Sequence, residues 1–318
     1  MKKLIVLFTL CSLFIAVNVM EVSADAILEI EPLISLGEAE KLDEIEIDSG
    51  PPSVNRITTK QSRQELLKGE IYSPNLLQQL QQEFSPQVVI GPDNRLRVSD
   101  TTIYPYSSVV QLIMHWEKDF IRTVCSGTLI DANSVATSAH CVIPSQGESE
   151  RRGNLQRVEI IPARNGSSAP FGIAYATNIY APQEYRVDRT SAFDFAVVNV
   201  NLDFSAAGSM MVSDLTSDVL LNNHFTISGY PGDKATELGN YFQWYHSGPI
   251  TGIQDWTFRY QIDTFSGQSG SAVYYNNFGD ITIGGIHSAG SVAGQYNVAH
   301  RITQASRNYM LLAASMNN

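Results

Sequence analysis

Three side chains in this sequence have the types that acyl-transfer chemistry needs. Ser269 sits in Gly267-Gln268-Ser269-Gly270, a tight turn between an alternating segment (Thr257 to Ile262) and an apolar run (Ala272 to Tyr275). A serine hydroxyl becomes a useful nucleophile when it is held exposed with backbone N–H groups facing the oxyanion its attack creates. His140 ends the apolar strand-like run Val135 to Ser138, beside Cys141. A histidine fixed there suits the work of a general base. Asp194 is the one carboxylate in the apolar stretch Phe193 to Val200. A carboxylate among apolar neighbours needs a hydrogen-bonding or charged partner, and an imidazole is one such partner. The chain order His, Asp, Ser differs from the orders used by subtilisins and α/β-hydrolases.

The elements that must position these residues read as strands almost throughout. Apolar or alternating runs recur at 109–116, 124–130, 135–138, 158–161, 193–200, 224–229, 241–246, 257–262 and 281–286. Turn clusters such as Gly229-Tyr230-Pro231-Gly232-Asp233 separate them. That spacing predicts an all-β barrel or sandwich. One helix is expected at the end, with Thr303 as its N-cap and Met310, Leu311 and Leu312 as its apolar side.

The N-terminal part has a different character. Lys2 and Lys3 precede an apolar run from Leu4 to about Met20, followed by Val22-Ser23-Ala24. This predicts a secretory signal peptide over 1–24, which would remove Cys11. No other stretch is apolar and long enough to span a membrane. Residues 25–87 hold no cysteine or tryptophan and carry twelve acidic against five basic residues. They read as an acidic propeptide ahead of a compact region at 88–318. The net charge of −11 offers no basic face for nucleic acid. The two cysteines left after signal removal, Cys125 and Cys141, predict one disulfide in an exported chain. A zinc site with His140 would use the same cysteines but lacks paired Cys-x-x-Cys spacing. No cofactor or metal is expected.

From Val88 onward the chain resembles the bacterial glutamyl endopeptidases, serine proteases of the chymotrypsin fold. The resemblance is carried by Val88-Val89-Ile90-Gly91, the Cys125–Ile130 block, His140-Cys141, Phe193–Val197, Gly229–Lys234, Ser247-Gly248-Pro249, Asp263–Ser271 and Gly285–Gly290. These blocks occur in order over nearly the whole region. The resemblance implies two six-stranded antiparallel β-barrels, at about 88–205 and 206–318, with the site in the cleft between them. It also implies a His140–Asp194–Ser269 triad and an oxyanion hole made by the N–H groups of Gly267 and Ser269.

For the substrate, the resemblance places Thr264 and His287 in the primary pocket and Ser288 to Gly290 along the substrate backbone. Thr264 and His287 offer hydrogen-bond donors, and a histidine beside a carboxylate can become cationic. Gln268 stands where pancreatic zymogens carry an aspartate that pairs with the new N-terminus. The resemblance instead gives an amine freed at Val88, by cleavage at Gln87–Val88, a part in binding the substrate carboxylate. A protease cutting after Glu would not cut after Gln87; Glu83 is a candidate self-cleavage site, with a second protease trimming to Val88. The expectation is a secreted, extracellular, monomeric endopeptidase acting on protein or peptide substrates after Glu and less readily Asp. Its rivals are a toxin-like protease of narrower specificity and a catalytically silent chymotrypsin-fold binding protein. His115, His224, His246 and His300 are expected to be structural or surface residues.

Overall fold

A computed structural model describes residues 88–118, 122–291 and 293–317, together with the backbone of three short strands at Ile34–Leu36, Val54–Asn55 and Phe84–Ser85. The expected signal peptide, Cys11, Glu83 and Gln87 lie outside the described residues, as does most of the expected propeptide.

The strand-like reading holds. Six strands, Val109–Trp116, Thr123–Leu129, Ser134–Thr137, Leu155–Pro162, Ala174–Tyr180 and Ala196–Val200, form the first antiparallel barrel. It closes because Ala196–Val200 pairs on one side with Ser134–Thr137, Val197 facing Ala136, and on the other with Ala174–Tyr180, Val197 facing Tyr180. The second barrel uses His224–Gly229, Trp244–Ile253, Thr257–Tyr260, Ala272–Asn277, Asp280–Ser291 and Asn297–Arg301. Pairing of Asp280–Ser291 with Asn297–Arg301 closes it.

Many of these strands read as unbroken apolar runs because both of their faces are covered. Along Val109–Trp116, Val110, Leu112, Met114 and Trp116 enter the first barrel's core, while Val109 joins the cluster between the barrels. Ala196, Val198 and Val200 likewise face inward, and Val197 faces the other barrel. In the second barrel Val273 fills the core with Phe225, Ile227, Phe258 and Tyr260, whereas Ala272 and Tyr274 face the interface. Successive side chains point to opposite faces of a strand, so one sequence run serves two cores.

The terminal helix, Gln304–Ser315, starts where expected, with Thr303 accepting from the Ser306 N–H. Its apolar side differs from the expectation. Met310, Ala313 and Ala314 are buried against the barrels, while Leu311 and Leu312 point outward. A buried stripe of helix period takes positions three and four apart, and three consecutive residues cannot share it. The strand expected at 193–200 begins at Ala196, because Ser191–Phe193 forms a 3₁₀ turn that delivers Asp194.

The segment from Val88 to Arg97 precedes the first barrel in sequence yet packs on the second barrel. Leu96–Arg97 pairs with Trp244 and Tyr245. Asp263 accepts from the N–H groups of Ile90 at 2.8 Å and Asn94 at 2.9 Å. Arg95, buried, pairs with Asp93 and with Asp233, and Lys234 reaches Asp93 at 3.1 Å.

Candidate active site

His140 sits in a single helical turn, Ala139–Val142, directly after the strand Ser134–Thr137. The Cys125–Cys141 disulfide ties that turn to the neighbouring strand, as the sequence predicts. Asp194 is buried at the end of its 3₁₀ turn. Its Oδ1 accepts the backbone N–H of His140 at 2.9 Å, and its Oδ2 lies 2.7 Å from His140 Nδ1. The Ser288 hydroxyl also donates to Oδ2. His140 Nε2 lies 2.7 Å from Ser269 Oγ. The three side chains singled out in the sequence therefore form one hydrogen-bonded chain across the two barrels.

Electrostatics bias this chain toward a charged pair. Burial alone would lower the His140 pKa, but the charge of Asp194 and its hydrogen bond outweigh burial and raise it above the ordinary imidazole value. Burial would raise the Asp194 pKa. The His140 charge, its ring hydrogen bond, Ser288 and the His140 N–H together hold it below the ordinary carboxylate value.

Close packing sets the register between the barrels. Gly270 has φ +83°, and a Cβ there would lie 2.1 Å from Thr137 Oγ1 and 2.3 Å from the Ser126 carbonyl oxygen. Only glycine lets the serine turn lie this close to the strand that presents His140. Ser126 fastens the same junction. Its N–H donates to the Ser269 carbonyl, its hydroxyl donates to the Gly267 carbonyl, and that hydroxyl accepts from the Tyr230 N–H. Gly267 has φ +102°, and a Cβ would lie 2.5 Å from the Tyr230 carbonyl oxygen. The backbone at the serine turn is thus held by both barrels.

The residues expected in the specificity pocket lie around the same turn. The His287 N–H donates to the Ser271 carbonyl, and the His287 carbonyl accepts from the Gly270 N–H and the Ser138 hydroxyl. The His287 ring is fully buried, its Nδ1 2.6 Å from the Tyr260 hydroxyl. Its Nε2 has no hydrogen-bond partner among the described residues, and the same is true of the buried Thr264 Oγ1. With no substrate carboxylate beside it, the His287 ring is held in its neutral form. Burial, followed by the neighbouring His140, pushes its pKa down to about 3. The Val298 backbone, whose hydrogen-bonding influence on the ring falls short of a well-formed bond, and the charge of Asp194 act in the opposite direction.

Val88 is next to this pocket. Its N–H donates to Asn297 Oδ1 at 3.1 Å, and its carbonyl accepts from Asn297 Nδ2 at 2.8 Å and the Thr264 N–H at 3.2 Å. Gln268 folds its carboxamide onto its own turn, accepting from the Phe265 N–H. On the far edge of Asp280–Ser291, Gly290 and Ser291 pair with Ser85 and Phe84.

Several contributors were not singled out for chemistry in the sequence. Asn297, Asp263 and Tyr260 join the site through contacts far apart in sequence. His246 Nδ1 accepts the Asp263 N–H at 2.8 Å. His300 donates to the Ala192 carbonyl at 2.7 Å and stacks on Phe195, supporting the turn that bears Asp194. These two histidines keep the structural role the sequence assigns them. Asp263 and Ser126 lie inside the blocks quoted above, so their positions, though not their partners, are visible in the sequence.

The description "Trypsin-like peptidase domain" matches residues 125–281. A glutamyl endopeptidase of Bacillus licheniformis is 32% identical over 227 residues, which span 70% of this chain and 67% of that protein. The chain belongs to the glutamyl endopeptidase family. It is a serine endopeptidase, with the two closed six-stranded barrels and C-terminal helix of the chymotrypsin fold. A solved Glu endopeptidase structure, 33% identical, superposes with a TM-score of 0.64 over 72% of this chain and all of that one. A Bacillus subtilis relative named extracellular metalloprotease is 30% identical over 230 residues, 70% of this chain and 68% of that protein. Among the described residues, the group with metal-ligand spacing is Cys125, His140 and Cys141. The disulfide occupies both sulfurs, leaving one imidazole, so this group does not fit a metal.

Proposed function

We propose that the protein is a secreted endopeptidase that hydrolyses peptide bonds after Glu, and less readily after Asp. The observation that carries the specificity is the pair of buried polar atoms, His287 Nε2 and Thr264 Oγ1, that have no partner among the described residues. Leaving such groups unpaired costs about 1–3 kcal/mol each, a cost that a bound carboxylate would relieve. A site built this way rejects apolar side chains, which leave its donors unsatisfied.

In the proposed mechanism His140 Nε2 takes the Ser269 proton as Oγ attacks the carbonyl carbon. Asp194, also bonded to Ser288, keeps the His140 proton on Nδ1 and stabilises the imidazolium. The N–H groups of Gly267 and Ser269 receive the oxyanion. His140 then protonates the leaving amine, and water attacks the acyl-enzyme by the same route. The substrate chain adds as a strand along Ser288 to Gly290. Residues 25–87 act as a propeptide, and cleavage at Gln87–Val88 frees an amine beside Thr264, where its charge favours an acidic side chain.

The test uses the full-length chain matured by cutting before Val88, with a Ser269→Ala control. Both are given a mixed peptide library, and cut sites are read by mass spectrometry. Cuts after Glu that vanish in the control are expected. Ser269-dependent cuts after Lys or Phe would overturn the assignment of Thr264 and His287. Absence of cuts from folded protein would overturn the triad assignment.

A further inference from the structure

The buried tyrosine behind the pocket has a part in the same recognition. A neutral imidazole carries one N–H, on Nδ1 or on Nε2, and its hydrogen-bond partners decide which. The Tyr260 hydroxyl is fully buried and meets His287 Nδ1 at 2.6 Å; it has no other partner among the described residues. If His287 carried its proton on Nδ1, the phenol would have to accept, and its own proton would be stranded in the core. The Nε2 lone pair would then face the pocket, repelling a carboxylate. If the phenol donates to Nδ1, one arrangement satisfies the hydroxyl and puts the ring proton on Nε2. Burial raises the Tyr260 pKa, so the phenol keeps its proton throughout the working pH range.

We propose that Tyr260 is a positioning residue for specificity: by donating to Nδ1 it fixes His287 in the Nε2–H form, which then donates to the acidic side chain before the scissile bond. This rests on the reading of His287 as the residue that meets that side chain. Tyr260 touches no reacting atom and no substrate. Its barrel-core neighbours Phe258 and Ile262 hold the ring in place. Removing the hydroxyl takes away the donor to Nδ1 and leaves the Val298 backbone as the other hydrogen-bonding influence on the ring, so the tautomer with a lone pair toward the carboxylate, which is unproductive, gains population.

The test is Tyr260→Phe in the full-length chain matured before Val88. Values of kcat/KM are measured on paired peptides that differ only in Glu or Gln before the cut bond. The ratio of the two is unaffected by any fraction of unfolded protein. The variant is expected to lower the Glu/Gln ratio on the order of tenfold, the scale of one hydrogen bond to a charged group. The loss should appear mainly as a higher KM for the Glu peptide. A ratio within about twofold of the unsubstituted protein's overturns the role of Tyr260 while leaving the acidic pocket standing. An unsubstituted protein with no Glu preference overturns the pocket reading itself, and this inference with it. Nitrogen NMR of the unsubstituted protein labelled at histidine supplies a second readout that needs no variant. His287 should show a protonated Nε2 and an unprotonated, hydrogen-bonded Nδ1. A proton on Nδ1 overturns the inference.

Discussion

At the scale of single residues, the proposed mechanism makes the hydrogen-bonded chain Asp194–His140–Ser269 tie reactivity to the protonation of one imidazole. His140 can accept the serine proton only when it is neutral. Because Asp194 raises its pKa above the ordinary imidazole value, the active form dominates only above that raised pKa. The sign is therefore fixed: kcat/KM should fall as pH drops, with a midpoint above about 6.5, the unperturbed histidine value. A pH–rate profile on a Glu peptide checks this. Asp194→Asn removes the charge and leaves burial opposed only by the smaller effect of Glu148, so the midpoint should move down. The rate above the midpoint should also fall, on the order of ten-thousandfold, because the amide no longer enforces the useful tautomer. A midpoint that stays where it was would show that Asp194 does not set it. The substituent on Asp194 that sequence reasoning did not foresee is Ser288, which lies on the strand that also bears His287. Through that strand the base and the pocket share one support.

At the scale of elements, what was legible depended on how local the cause was. Val109–Trp116 and His224–Gly229 match the expected runs residue for residue, because alternating or continuous apolar side chains report burial directly. The cap at Thr303 was equally local. Ala174–Tyr180 was not expected: its small and polar residues face half-buried surroundings, so no apolar run marks it. Asn297–Arg301 escaped for a different reason. Asn297 and His300 are buried polar residues whose partners, Val88 and Ala192, lie far away in sequence. The same holds for the carboxylate of Asp263, which grips the segment beginning at Val88. That grip has a measurable consequence. Asp263→Ala removes the acceptor for two N–H groups, and bonds to charged groups are worth about 1.5–3 kcal/mol each. The segment from Val88 to Asn94 should loosen, giving faster amide hydrogen exchange there. The barrel strands should keep their protection, and KM for Glu peptides should rise more than kcat falls. Unchanged exchange at Ile90 and Asn94 would mean that Arg95 and its partners hold the segment without Asp263.

At the scale of the whole molecule, the two barrels meet where the chain before Val88 also arrives. Phe84 and Ser85 run antiparallel to Ser291 and Gly290, on the edge where a substrate strand is proposed to add. A sheet edge accepts one strand at a time, so this segment and a substrate compete for the same backbone groups. Under the proposed maturation, two effects of the uncut chain point in one direction: the edge is occupied, and Val88 carries a peptide N–H where cleavage at Gln87–Val88 would place an α-ammonium. A covalently attached strand acts at the high effective concentration of an intramolecular ligand, on the millimolar scale for a short connection. The uncut full-length protein should therefore show a KM for Glu peptides well above that of the same protein cut before Val88. Replacing Ser85 with Pro provides the separating control. Proline cannot donate a backbone hydrogen bond, so competition for the edge should weaken while the missing amine stays missing. If that substitution lowers the KM of the uncut chain part of the way toward the cut value, strand competition accounts for that part and the N-terminal charge for the remainder. If it leaves KM unchanged, the whole effect of maturation lies in the amine at Val88.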